Sequence, residues 1–573
     1  MTTMNRMGAR LGWRATGLLT GLLAGTALAG CLFAANPAAA QSAAQLGAIQ
    51  GQISTLQAQL RRLQAEAAGR DAAVRAARDE ANQARVDANK AMAQAAVAPQ
   101  GGLGNSVQLN PNGIGPAASL AGSSPQSIVG TAVDKPNPTF RLGNVSITLG
   151  GFVDLDGIFR SRNETAGVGS SLNGIPFRNN QNAHTGEFRE TAQQSRFSML
   201  VQGKVSDTQA IAGYAELDLN ASGTSSNSNQ TNSYVPRVRH LYATYDDSRY
   251  GVHLLTGQTW SFLTPETVGM TPRKEQVPLT IDTSYVPGFT YTRAPQLRLA
   301  KDFGGKYWVG VSFESPQELY SYQTASGAVL PDKATILYNN PGSVNLNSAT
   351  AYSVDVAPDM IVKVAADPGY GHYEAYGLGR FFKSRVSTLG AGKDQVAFGG
   401  GIGGSVTLPL VPKLVDFTGN ILAGSGIGKY GASQLPDASF KANGSPAPLP
   451  EVIGLVGLIG HPTPAFDVYG YLGTEQIGRE TNGLKGTGPG YGGSNVVNTQ
   501  CNIELGTACG AQTRSVTGGA VGAWWRFLHG NYGTMMAGAQ YGYDQRIAFH
   551  GVGGKPSTDE SIVMFTLRYL PFQ

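Results

Sequence analysis

Charged side chains in this chain recur at every second position, with apolar residues between them. Asp154 and Asp156 alternate with Val153 and Leu155, and Gln296 and Arg298 alternate with Leu297 and Leu299. Asp544 and Arg546 share a parity opposite Tyr541 and Tyr543, and Arg526 and Arg568 stand on the polar parity of their own segments. Between Ser195 and Asn220, one face carries Arg196, Lys204, Glu216 and Asp218. Side chains two residues apart on an extended strand project from the same side. The pattern therefore predicts rows of carboxylates and guanidinium groups along a wet surface, which is the chemistry of a transverse field. A reaction would instead need a nucleophile, a base and an orienting acid gathered at one place. The seven histidines, His184, His240, His253 and His461 among them, are spread over different segments. No catalytic residue, metal or cofactor is expected. Gly399-Gly400-Gly401-Ile402-Gly403-Gly404 matches GxGxxG, but Ser405-Val406-Thr407-Leu408-Pro409 follows where a dinucleotide site needs a helix.

The elements that must position these rows are strands. Phe197, Met199, Val201, Gly203 and Val205 share one face, continued after a Ser-Asp-Thr turn by Ile211, Gly213, Ala215, Leu217 and Leu219. Leu200 is the large apolar exception on the polar face. Placing Val205 opposite Ile211 makes both faces agree across an antiparallel pair. Each strand is about ten residues, the length a tilted strand needs to cross hydrocarbon, whereas soluble sandwich strands are about half as long. From Phe140 onward such segments are joined by alternating links. The short ones are 207–209, 246–249, 302–306, 367–371, 410–412, 461–464 and 529–531. The long ones are 163–193, 221–234, 261–291, 316–358, a modest link after Arg385, 430–449, 480–512 and 550–559. This predicts an all-β transmembrane antiparallel β-barrel of about sixteen strands, with both ends of the barrel segment on the short-turn side. Tyr250, Tyr307, Trp308, Tyr370, Tyr373, Trp524, Trp525 and Tyr532 lie beside short links, where an interfacial girdle belongs.

Arg237 and Arg239 share a parity with Leu241, while His240 shares one with Val238 and Tyr242. The two arginines are assigned inward because a charge facing lipid costs about 2–4 kcal/mol near the midplane. The third long link, 261–291, follows the fifth strand and holds Glu266, Arg273, Lys274, Glu275 and Asp282, with prolines that stiffen it. It is the candidate constriction.

Composition supports this reading. Charged residues are 14% of the chain while mean hydropathy is only −0.14, as an apolar band diluted by a polar lumen would give. The net charge of +5 is carried by residues 1–138, which hold 11 Lys/Arg against 6 Asp/Glu and leave 32 of each to the remainder. No basic run with interleaved aromatics suggests nucleic acid.

Residues 1–40 read as a secretory signal peptide: Arg6, Arg10 and Arg14, then an apolar stretch, then Pro37-Ala38-Ala39-Ala40. Leu28-Ala29-Gly30-Cys31 also resembles a lipoprotein box, which would leave Cys31 lipidated. Over 41–98, Leu46, Ile49, Ile53, Leu56, Leu60 and Leu63 repeat in steps of three and four, which predicts an α-helical coiled-coil stalk whose helix count stays open. Residues 99–138 read as a Pro/Gly/Ser/Asn-rich linker before the barrel domain at 139–573. Cys501 and Cys509 are expected to form a loop disulfide, as in an exported protein.

Gln194-Ser195-Arg196, Arg239-His240-Leu241-Tyr242-Ala243, Gly257-Gln258-Thr259-Trp260-Ser261 and Pro265-Glu266-Thr267 resemble the pattern of the DcaP-like trimeric outer-membrane porins. The order helix, linker, barrel strengthens the likeness. The resemblance implies a homotrimer in outer-membrane lipid and passive uptake of small anionic solutes, dicarboxylates among them. Two other readings remain: a tether whose stalk contacts peptidoglycan, and an outer-membrane barrel enzyme.

Overall fold

The computed structural model describes residues 54, 57–59 and 61 and, apart from 165, 222–234, 322–333, 339–353 and 482–489, residues 139–572. The chain forms two compact units, Met1–Leu109 and Asn110–Gln573. In the first, Ser54, Gln57, Ala58, Gln59 and Arg61 are helical and exposed. The signal segment 1–40, Cys31, the linker 99–138 and the stalk positions Leu46, Ile49, Ile53, Leu56, Leu60 and Leu63 lie outside the described residues.

The second unit is a closed antiparallel barrel of sixteen strands. In chain order they are β1 (Val145–Arg160), β2 (in two segments, Glu187–Thr191 and Arg196–Lys204), β3 (Gln209–Asp218), β4 (Arg237–Asp247), β5 (Val252–Trp260), β6 (Arg293–Phe303), β7 (Tyr307–Glu314) and β8 (Asp359–Ala366). They continue as β9 (His372–Thr388), β10 (Ala391–Val411), β11 (Val415–Ser425), β12 (Pro450–Thr463), β13 (Phe466–Ile477), β14 (Thr513–Gly530), β15 (Gly533–Ala548) and β16 (Ser557–Leu570). Neighbours in sequence are neighbours in the sheet, and β1 closes the ring on β16 with Val153 opposite Tyr569 and Arg160 opposite Ile562. Within the ring of sixteen described strands closure leaves no edge, which a membrane requires because unpaired backbone groups have no water to bond. The short strands Thr139–Leu142 and Thr335–Tyr338 pair on one side only among the described residues, at the two ends of the ring.

Alternation sets the two faces. Val153 and Leu155 are each 52% exposed on the lipid side while Asp154 and Asp156 are buried inside. In the β2–β3 hairpin Phe197, Met199, Ile211 and Leu217 face outward, and Arg196, Glu216 and Asp218 inward. Its register is two residues tighter than Val205 opposite Ile211: Gly203 takes that place, and Arg196 lies opposite Asp218. The cause is the turn, where the Val205 and Ser206 amides both donate to the Gln209 carbonyl at 3.0 and 3.1 Å. A shift of two preserves every side chain's face. Leu200 is an inward residue packed with Tyr214, Tyr242 and Leu255.

Two boundaries and the girdle differ from the expectation. The second strand begins at Glu187 instead of after Gln193; it breaks at Ala192–Ser195, where the Ser195 amide donates to the Ala192 carbonyl at 3.1 Å. The modest link after Arg385 is a two-residue turn, Leu389-Gly390, with Gly390 at φ +78°, so β9 and β10 run on past β8 and β11 as a hairpin, and the short strand Thr335–Tyr338 pairs with Ser384–Ser387 of β9 there. In the girdle, Tyr250, Tyr307, Tyr370, Tyr373, Trp525 and Tyr532 are exposed, but Trp308 and Trp524 are buried. Each buried tryptophan adjoins an outward aromatic, and neighbours on a strand cannot share a face.

Candidate functional site

Strands β2, β3 and β4 build a cationic row that the bulge in β4 makes possible. Glu216 lies opposite His240 and Leu217 opposite Val238, which leaves Arg239 as the extra residue. A bulge lets two consecutive side chains serve one face. Arg239 and His240 are both buried inside while Val238 and Leu241 face out, which resolves the conflict of parity. The Arg239 guanidinium donates to Glu216 (2.6 Å) and Asp218 (3.0 Å), and Arg237 clasps Asp218 at 2.9 and 2.6 Å. Arg196 approaches Glu216 at 3.8 Å, and Glu216 also accepts the Tyr214 hydroxyl at 2.9 Å. On β6, Arg298 donates to Gln296 (3.1 and 2.8 Å) and to the Trp260 carbonyl (2.9 Å), stands 4.4 Å over the Phe262 ring and comes within 4.0 Å of Glu266. Three arginines sharing two carboxylates keep a local positive excess at this wall.

The link from Ser261 to Thr292 enters the barrel and is fastened to strands around its circumference. The Phe262 amide donates to Glu314 on β7 (2.7 Å), and Glu266 N–H to Glu374 on β9 (3.2 Å). Lys363 on β8 donates to both Glu374 and the Thr264 carbonyl at 2.9 Å. Across the lumen, Leu279 N–H donates to Tyr471 (3.2 Å), Ile281 N–H to Gln540 (2.7 Å) and Gly288 N–H to Glu475 (2.8 Å), while Trp524 donates to the Leu279 carbonyl (2.8 Å). Gln194, freed by the break in β2, reaches the Ile281 carbonyl at 2.8 Å. Gly269 N–H reaches Asp367 in a short turn at 3.1 Å, so the link descends toward the short-turn end.

Of its charged residues, Glu266 and Glu275 bridge a small hairpin, Arg273 donates to Tyr242 (3.3 Å), and Asp282 accepts from the Ser170 hydroxyl (2.5 Å). Burial and the adjacent Glu275 hold the Glu266 carboxyl well above the usual carboxylate range. Burial likewise raises Glu275 and Asp282 and lowers Lys274.

The remaining sequence-derived residues are dispersed. Arg568 binds Asp154 at 3.0 Å and lies 3.9 Å from the Phe152 ring. Arg546 donates to Thr513 (2.8 Å) and to the Ile175 carbonyl (2.9 Å), holding the first long link. Arg526 pairs with Asp467 at the short-turn rim, and Lys204 pairs with Asp207 in an exposed turn at 2.6 Å, away from the row. Cys501 and Cys509 are joined in a disulfide.

The sequence reading missed a second inward link, 426–449. Asp359 on β8 receives Arg380 at 3.1 Å, Lys429 at 3.0 Å and Tyr430 at 2.7 Å, and Arg380 also binds Asp437 at 2.7 Å. Glu475 accepts the amides of Gly288 (2.8 Å) and Ser433 (3.0 Å), so one carboxylate ties both links together. Strand parity could have placed Asp359 and Lys363 inside, since they alternate with Met360, Val362 and Val364. Nothing local marks Lys429. Arg293, 4.5 Å over the Trp260 ring, was also passed over.

No protein-family model and no curated protein matches this sequence. Among solved structures, the outer membrane channel DcaP of Acinetobacter baumannii superposes with a TM-score of 0.53, over 75% of this chain and 99% of that one, at 17% identity. The chain has the DcaP fold. The outer-membrane expressed OmpT of Vibrio cholerae gives a TM-score of 0.41 at 10% identity, over 76% of this chain and 100% of that one. In this DcaP-like barrel, the inward link and the arginine row meet where Arg298 faces Glu266 and Arg273 faces Tyr242.

Proposed function

We propose that the barrel is a passive diffusion pore of the outer membrane for small hydrophilic solutes, and that the 261–292 link is its constriction. The observation that carries this reading is the link itself, bonded across the lumen to β8 and β9 on one side and β13 to β15 on the other. Arg196, Arg237, Arg239 and Arg298 give the pore a weak preference for anions, dicarboxylates among them, chiefly through the field of their positive excess, with the half-buried Arg237 placed to meet a solute carboxylate directly. We infer a homotrimer, a cleaved leader at 1–40 and a periplasmic stalk at 41–98, with peptidoglycan contact as a further role of that stalk. Pore lining needs no catalytic group.

A second reading has its own support. Glu164, Asp282 and Glu560 lie about Arg160, and Asp544 lies by Glu164 and Asp282, an acidic excess that would favour cations wherever those carboxyls ionise. Reversal potentials in planar bilayers under a salt gradient separate the two. Anion preference that declines when Arg196, Arg237, Arg239 and Arg298 become glutamine supports the first. Cation preference unchanged by those substitutions would sink it. Replacing residues 266–275 with a short Gly/Ser link should raise single-channel conductance; an unchanged value would remove the link from the permeation path.

A further inference from the structure

A groove of about 800 Å³ opens at the long-link end of the barrel, where the ends of β11, β12 and β13 meet the link 549–556. Its floor includes Ala423, Pro450, Val452 and Phe549, and its rim carries Arg479, Arg514 and Lys555. All three cations are exposed. Arg479 is braced by a bond to the His550 carbonyl (3.3 Å) and by the Phe549 ring, 5.2 Å away. Arg514 is the unpaired residue of a bulge: Thr513 lies opposite Ala548 and Ser515 opposite Ile547. That extra residue keeps Arg514 turned outward. Among the described residues that line the groove, the one carboxylate is Glu451, which faces the barrel interior and accepts the Ile427 amide at 3.1 Å.

The apolar floor runs into the lipid-facing band. Val452 lies beside Ala423 on β11 and Gln476 on β13, and below that row Ile421, Val456 and Leu472 are exposed. The groove therefore has cations at its rim and hydrocarbon-facing side chains beneath, on the outside of the barrel. In outer-membrane barrels the long links face outward from the cell, so this rim stands at the outer-leaflet interface.

We propose that the groove is a docking site for a phosphate-bearing membrane lipid, with the phosphate held by Arg479, Arg514 and Lys555 and an acyl chain laid along Val452 toward Ile421 and Leu472. Arginine forks match phosphate oxygens bidentately, and lysine adds a point charge. Three basic side chains gathered on a concave apolar surface suit an amphiphile better than scattered interfacial anchors do, since isolated cations at a membrane edge only turn their heads to water.

The test uses the full chain in detergent and reads lipid retention by native mass spectrometry. The probes are a bis-phosphorylated, multiply acylated disaccharide lipid, its dephosphorylated counterpart, and inorganic phosphate. The proposal expects the phosphorylated lipid to be retained and Arg479→Gln, Arg514→Gln, Lys555→Gln together to weaken retention about tenfold to a hundredfold. Lys306→Gln, at an exposed short turn, should leave it unchanged. Channel conductance of the triple variant reports that its barrel is intact. Equal retention of the dephosphorylated lipid overturns the proposal, as does full competition by inorganic phosphate at equal concentration. So does a triple variant that keeps its lipid, or one that instead loses its oligomeric state, which would make the groove an interface between copies.

Discussion

Glu216 shows how a single carboxylate governs the cationic wall. It takes the Arg239 guanidinium at 2.6 Å and the Tyr214 hydroxyl at 2.9 Å, with Arg196 at 3.8 Å. Glu216→Gln keeps the shape and removes one negative charge. The variant should shift the reversal potential further toward anions and lower barrel stability by about 1–3 kcal/mol, the cost of leaving a buried charged partner short of its bond. Heat-dependent gel mobility and bilayer recordings read the two effects. The inward link adds a pH dependence of definite sign. Glu266 is raised by burial and by Glu275 when docked, so its contribution to docking is fully present below the ordinary value of about 4.3 and is lost as pH rises through the raised one. Glu275 and Asp282 shift the same way. Falling pH should therefore neutralise these groups ahead of ordinary surface carboxylates and move selectivity toward anions, and Glu266→Gln should flatten that titration. Lys274 works oppositely, since burial lowers it and its docking penalty lifts as the pH rises.

Among the elements, strands were legible and the inward links were only half so. Period-two alternation placed Asp154, Glu216 and Asp218 inside because lipid on one side and water on the other leave each parity one solvent. It failed where the backbone departs from that period. The Arg239 bulge is set by pairing with β3, and the two-residue turn at Leu389-Gly390 depends on how far β9 and β10 pair, which no local residue records. Trp308 and Trp524 were misplaced because proximity to a turn was read without parity. The 426–449 link was passed over because its partners, Asp359 and Glu475, come from distant strands. Gly288 tests the importance of link placement. Its φ is +85°, and an added Cβ would stand 2.0 Å from the Gly454 carbonyl oxygen. Gly288→Ala should dislodge this end of the inward link and break the hydrogen bond from its amide to Glu475. Larger and noisier single-channel currents are expected, and recordings indistinguishable from the parent would show that the link tolerates displacement.

For the molecule as a whole, the proposed pore makes each closed ring a complete permeation unit, so copies in an assembly should conduct independently. Recordings of the purified oligomer should show three equal conductance steps, and removal of 41–98 should change assembly yield more than step size. Steps of one size occurring singly would refute the proposed trimer. The tip of the β9–β10 hairpin carries a different implication. Thr388 and Ala391 are paired across a turn in which Leu389 is 103% exposed and no atom lies within 4 Å of a Cβ built on Gly390. A tip of this kind is a handle: a foreign peptide spliced between those two residues should be displayed at the long-link end, where an antibody raised against it could bind while the strands below stayed paired.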